Sequence, residues 1–328
     1  MSEHIIASAI VISSTFFLIP TIGEIFAEKS GVLNLGIEGM IVAGAAGSFL
    51  TTYLLRGLAG PKFLGGDITV WIGLLAGMLI GTVLALLHSF VSVTLNRNQI
   101  VSGIALTIFG TGLGGLFGRG VVGKQIETSK LDDISIPILK EIPFFGAVLF
   151  NRDIIVYFSY ILVPLAWFIL FRTKLGLMIR TVGENPISAH NQGINVKKIR
   201  HMSVLFGGAL AGLSGAYLSL AWLGRWQEGI TNDRGWIVIA LVIVALWHPI
   251  NALIGSYIFG VFWVYKLQFA NGVDVLGFTI KADSNLMDML PYLSTLGFLI
   301  IGSVMINFSK VKRLIGAPTE LTVPFYDD

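Results

Sequence analysis

The sequence predicts an all-α, polytopic helical membrane protein, and three observations predict it. Only 12% of its residues are charged, 54% are hydrophobic, and the mean hydropathy is +0.80. Several apolar runs are long enough to cross a hydrocarbon core of about 30 Å as helices. Glycine is abundant, at 39 residues, and recurs at four-residue intervals that let helices approach closely. With 328 residues spent this way, no soluble domain of useful size is left over, so one transmembrane domain over 1–328 is expected.

The apolar runs fall at 5–22, 31–55, 68–95, 99–118, 154–171, 203–223, 250–265 and 289–306. The first lacks a basic leading segment and a clear cleavage site, so it reads as a retained span. A shorter run at 236–247 gives about 18 Å of helix, too little to cross alone. It reads as a half-helix, or as a re-entrant hairpin with 250–265 around "WHPIN". The sum is about nine membrane segments. Gly73, Gly77 and Gly81 form one small-residue row, and Gly208 with Gly212 a second, both expected to pack helices.

Orientation follows the cations close to span ends. Residues 172–202 hold Arg172, Lys174, Arg180, Lys197, Lys198 and Arg200 against one acid, Glu184, and Lys310, Lys312 and Arg313 follow the last run. Both segments are expected in the cytoplasm. The amino terminus then lies outside and the carboxy terminus inside, with 119–152 and 224–235 outside. At or beside the latter, Trp222 and Trp226 suit an interfacial aromatic belt. Arg225, Glu228, Asp233 and Arg234 suit either an external protein partner or pairing with one another.

Several chemistries are excluded. The chain has no cysteine, hence no disulfide, thiolate metal site or cysteine nucleophile. Its net charge of +3 sits in loops, not in a nucleic-acid-sized patch. "GTGLGG" at 110–115 matches a dinucleotide-binding pattern, but it lies inside an apolar run with no strand before it. "GRGVVGKQ" at 118–125 approaches a phosphate-binding loop, yet Gln125 stands where Ser or Thr is needed. No bound cofactor is expected.

The polar stretch 180–200, "RTVGENPISAHNQGINVKKIR", carries local helix grammar. Asn185 is a good N-cap, Pro186 fits the first helical position, and Gly193 fits just past the end. A helix this short needs something to pack on, because nucleation costs more than so few bonds return. Small Ser188 and Ala189 permit a close approach.

This segment resembles the cytoplasmic coupling loop of ABC-transporter permeases, a Glu-Ala-Ala, three residues, Gly pattern that Ile187, Ser188, Ala189 and Gly193 match in part. The version "GENPxxAxxxGINV" is more similar to the branch that carries branched-chain amino acids, simple sugars and nucleosides. "EKSGVLNLGIEGM" at 28–40, "NQIVSGIALTIFGTGL" at 98–113, "GGALAGLSGAYLSLA" at 207–221 and "WQEGIT…RGWIVIALVI" at 226–243 resemble its nucleoside-type permeases, which have riboflavin permeases as near relatives. At 244–249 the chain departs, with "VALWHP" where these permeases tend to show a Gly-Arg-Trp-Asn-Pro turn.

The resemblance implies a type II ABC-importer permease in a bacterial inner membrane. It implies an ABC ATPase that binds ATP and Mg, a second and different permease chain, and an extracytoplasmic solute-binding lipoprotein. Gly183, Glu184, Asn185, Pro186, Ser188, Ala189 and Gly193 would couple to the ATPase. A nucleoside is the expected cargo, with riboflavin or a simple sugar behind it, and an ion-coupled carrier is the alternative mechanism. No nucleophile–base or metal constellation suggests an enzyme.

Two ionisable residues lie inside the predicted spans, Glu38 and His88. Asn34 is expected one turn before Glu38 on the same helix face. The pair either lines the translocation path or braces neighbouring helices. His88 reads as a packing residue.

Overall fold

The computed structural model describes residues 3–125, 131–137, 139–271, 273–275, 278–280, 316–326 and single positions between 289 and 300. Its helices are α1 (Glu3–Lys29), α2 (Ile37–Leu55), α3 (Ile68–Ser89), α4 (Gln99–Gly118), α5 (Phe145–Leu149), α6 (Ile154–Arg172), α7 (Lys174–Glu184), α8 (Pro186–Asn191), α9 (Val196–Tyr217), α10 (Arg234–Val244) and α11 (Pro249–Asn271). Wider π-type turns at 90–94 and 218–222 prolong α3 and α9. Among the described residues, six helical segments are long and apolar enough to cross a membrane: 4–29, 37–58, 68–94, 99–118, 154–172 and 196–222. Most of the span expected at 289–306 lies outside the described residues, so nine segments are not established. Two small antiparallel ribbons are also present, Ile134–Ser135 with Asn151–Arg152 and Val273–Val275 with Phe278–Ile280.

Helix α9 is the axle, packed between α1, α2 and α3. The two glycine rows of the sequence meet each other here, with Gly77 and Gly81 of α3 facing Gly208 and Gly212 of α9. A Cβ on Gly44 of α2 would stand 2.8 Å from the Gly212 Cα, so only glycine allows this approach. Close backbones supply the dispersion contacts that hold helices together where water-driven burial is absent. "GTGLGG" has the same purpose, since Gly110 lies on Gly39 and Gly114 on Val42. Leu75, Leu79 and Val83 of α3 and Ile104 and Ile108 of α4 face outward.

Two boundaries differ from the expectation, both for local reasons. Helix α1 runs beyond its apolar run to Lys29, carrying Glu24 and Glu28 into the bundle, because "GEIFAEK" contains no breaker before Gly31 (φ +91°). The run 31–55 is not one helix. Residues 32–36 are irregular, and the Gly36 N–H donates to the Asn34 side-chain oxygen at 2.9 Å, a local turn that delays α2 until Ile37. Asn34 and Glu38 therefore do not share a helix face.

The half-helix is present. Helix α10 has 11 residues, about 16 Å, and α11 follows it after the turn at "WHPIN". Its level can be read from neighbours. Gly39 abuts Leu106 and Thr107 of α4, eight residues in from Gln99, so Glu38 lies about 12 Å inside the bundle. Glu38 touches Gly235 at the start of α10, while Trp247 just past its end touches Glu28 near the end of α1. Helix α10 thus runs from mid-bundle to the end that carries α7 and α8, here the polar end.

Candidate functional site

At the polar end, three successive helices start on side-chain caps. Thr173 accepts from the Gly176 amide at 3.2 Å, Asn185 from Ser188 at 2.8 Å, and Asn195 from Lys198 at 2.9 Å. Pro186 occupies the first turn of α8, and Gly193 (φ +78°) follows its end, in the left-handed conformation that suits glycine. The capped turn drawn from the sequence is thus present residue for residue. Its facing is different. Ala189 and Pro186 are buried against the chain itself, whereas Ile187 is 67% exposed and Ser188 and Glu184 face outward. Gly183 is small for an internal reason, since a Cβ there would collide with the Lys29 carbonyl. Ile187 was aligned with the motif but not counted among the coupling residues, because an apolar residue in an apolar chain carries no signal until its surroundings are known.

The second cluster surrounds α10. The Glu38 carboxylate receives the Gly235 amide at 2.6 Å and the Thr231 hydroxyl, so an acid from α2 caps the positive end of the half-helix. Glu38 also lines a cavity of about 400 Å³ with Thr111, Trp226, Glu228, Asn232 and Asp233. It is at once a brace and a cavity wall. Asn34 is fully buried and bonded to its own turn, and its amide donates to Glu24 at 2.9 Å. It is not among the residues lining that cavity.

Glu24 and Glu28, absent from the sequence reading of buried charges, are both buried on α1. The Trp247 indole donates to Glu28 at 2.5 Å, tying α1 to the turn where Leu246 (φ +52°) and Trp247 (φ +54°) adopt a left-handed pair. One oxygen of each acid has no partner among the described residues. Their four-residue spacing was the available sign, hidden by ending the first span at residue 22. Carboxylates from two spanning helices therefore hold both ends of α10.

Other residues settle into structural roles. His88 is buried with one ring nitrogen 3.1 Å from the Leu33 carbonyl and the other 3.1 Å from the Ser102 hydroxyl. Arg234 is buried rather than solvent-paired, its guanidinium 3.8 Å from the Trp263 ring centroid and 5.0 Å from that of Trp222. Trp226 is buried against Gly118 instead of standing in an interfacial belt.

A glycine-packed bundle of apolar spans, a capped short helix at one end and a half-helix beside a polar cavity define a membrane permease. The chain belongs to the family described as branched-chain amino acid transport system, permease component, which it matches over residues 6–315. Three similar proteins illustrate the breadth of that family. TsgC13 of Haloferax volcanii, provisionally named a glucose ABC transporter permease, is 38% identical over 265 residues, 80% of this chain and 76% of the relative. The nucleoside ABC transporter permease NupC of Lactococcus lactis is 33% identical over 297 residues, 89% of this chain and 90% of the relative. The guanosine ABC transporter permease NupQ of Bacillus subtilis is 31% identical over 303 residues, again 89% and 90%. The chain is an ABC-transporter permease, a multi-pass helical membrane protein.

Proposed function

We propose that this chain is the nucleoside-conducting permease of an ATP-driven importer, a single transmembrane domain whose α7–α8 segment receives the stroke of a partner ATPase. Cargo arrives on an extracytoplasmic binding lipoprotein and passes between this chain and a second, different permease. ATP and Mg stay on the ATPase, which biases two conformations of the permease, and the chain itself performs no covalent chemistry. Cation density in 172–202 supports a cytoplasmic polar end and carboxy terminus, with the amino terminus outside.

One observation carries the coupling assignment: α8 is a six-residue helix, capped at its start, that buries Pro186 and Ala189 and offers Ile187 outward. Such a helix has a fixed inner face and a free outer one, as a docking knob requires. Gly183, Glu184, Asn185, Ser188 and Gly193 shape it. Glu38 belongs to the translocation path through the cavity it lines, and Asn34 supports that path by fixing the turn before α2.

A nucleoside is the favoured cargo because two relatives that align over nine-tenths of their length are named for nucleosides. The glucose-named relative keeps a simple sugar as the second reading. The test is gentle purification from the native membrane with Ile187→Arg alongside. The ATPase should accompany the wild type and be lost with the variant, while the variant still folds. Ala189→Arg, by contrast, should destabilise the chain itself, because the arginine replaces a buried methyl. An Ile187→Arg chain that keeps its ATPase and its uptake would overturn the assignment. Competition of guanosine uptake by glucose and by riboflavin separates the cargoes.

A further inference from the structure

Residues 316–326 return to the polar end and lie across α1, α7, α8 and α9. The Lys29 ammonium donates to the Gly316 carbonyl at 3.1 Å, and the Thr319 hydroxyl donates to Glu184 at 2.8 Å. The Glu320 amide donates to the Gly183 carbonyl at 3.0 Å, and the Thr322 amide to that of Gly31 at 3.2 Å. Arg200, buried at the start of α9, donates to the Val323 carbonyl at 3.1 Å and to that of Ser30 at 3.2 Å. Phe325 is 5% exposed, with its ring 5.7 Å from that of His190 on α8. Two glycines make the fit possible. A Cβ on Gly31 would stand 3.2 Å from the Glu320 carbonyl, and one on Gly183 would stand 3.1 Å from the Pro318 ring.

Most of these bonds use backbone groups of the tail, so it lies along the bundle much as an added strand would. It joins parts that are otherwise distant in the chain. A six-residue helix cannot hold its own geometry, and Pro186 and Ala189 give α8 only a narrow inner face. A displacement of α8 reaches the spanning helices only through packed and hydrogen-bonded contacts that move as a body.

We propose that the 316–326 segment is a strap that positions α8, locking it to the ends of α1 and α9 so that an ATPase stroke on α8 becomes a movement of the spans. Phe325 and Thr319 are its positioning residues. This rests on the coupling assignment of α8 made above.

The natural chain has no cysteine, which makes His190→Cys with Phe325→Cys a clean probe. The variant is studied in the complete complex with its ATPase and binding protein in proteoliposomes, with radiolabelled guanosine as the probe, or glucose where guanosine is refused. In the reduced form the ATPase stays bound and uptake per ATP hydrolysed falls about tenfold. Mild oxidation joins the two cysteines and restores the ratio, which a merely destabilised protein would not do. Failure to cross-link, a reduced form as efficient as wild type, or an oxidised form that stops transport each overturns the strap. If the double variant does not accumulate, Phe325→Ala should lose efficiency and Phe325→Tyr regain it, and equal efficiency in the two overturns the strap. Uptake by the unsubstituted chain with no ATPase bound overturns the coupling assignment and the strap together. A bound ATPase indifferent to these variants overturns the strap alone.

Discussion

Residues 172–202 and the carboxylates Glu24, Glu28 and Glu38 place similar polar chemistry in opposite settings. In the first region the caps and the terminal glycine act on their own neighbours and water is at hand for the exposed side chains, Arg200 being the buried exception. In the second, each acid is buried: Glu24 accepts from Asn34 only ten residues on, whereas Glu28 and Glu38 find their partners far along the chain, Trp247 for Glu28 and Gly235 and Thr231 for Glu38. A lost cap bond in the first region is replaced by one to water. A lost bond in the second leaves a donor stranded in a low-dielectric interior, which costs far more. Equal substitutions should therefore have unequal consequences.

The largest effect is expected at Glu38. Glu38→Ala strands the Gly235 amide and the Thr231 hydroxyl and uncaps α10, a loss of about 3 kcal/mol, with uptake abolished. Thermal unfolding in detergent and uptake assays read both quantities. Glu38→Gln retains an acceptor oxygen and should keep most of the stability. Transport by Glu38→Gln at the wild-type rate across pH would reduce Glu38 to a brace and remove it from the path.

An intermediate effect is expected for the clamp at the other end of α10. A double-mutant cycle of Glu28→Ala and Trp247→Phe should show a coupling energy of about 1 kcal/mol, because a buried indole donor meets a carboxyl acceptor. Additive effects would mean that the indole and the carboxylate do not depend on one another, and would break the picture of a half-helix held at both ends.

The smallest effect belongs to the exposed region. Asn185→Ala removes one capping bond and should cost about 1 kcal/mol, as helix caps do, while lowering uptake more than it lowers the melting temperature. Asn185→Asp should restore most of both. A loss of stability as large as that of Glu38→Ala would erase the contrast between the two regions.

The same contrast explains what was readable in advance. Asn185, Pro186 and Gly193 were legible because a capped helix is written within ten residues. The apolar runs and the two glycine rows were legible through their length and period. Glu24 and Glu28 were not, because a run of hydropathy ends where charge begins, whereas a helix ends only where the backbone finds a terminator, here Gly31. Ala189 was legible as small but not as inward-facing, and Arg234 as charged but not as boxed by aromatic rings.

By itself, then, the sequence determined that this chain is a membrane-embedded helical bundle, where its short capped helix lies, which glycines pack, and to which family it belongs. Those properties depend on composition and on neighbours within a few residues. The tertiary structure alone decided which face of α8 is free, that acids from α1 and α2 hold α10 at both ends, and that 316–326 straps α8 to the bundle. Each of these is a contact between residues tens to hundreds of positions apart, and no local pattern encodes a partner at that distance.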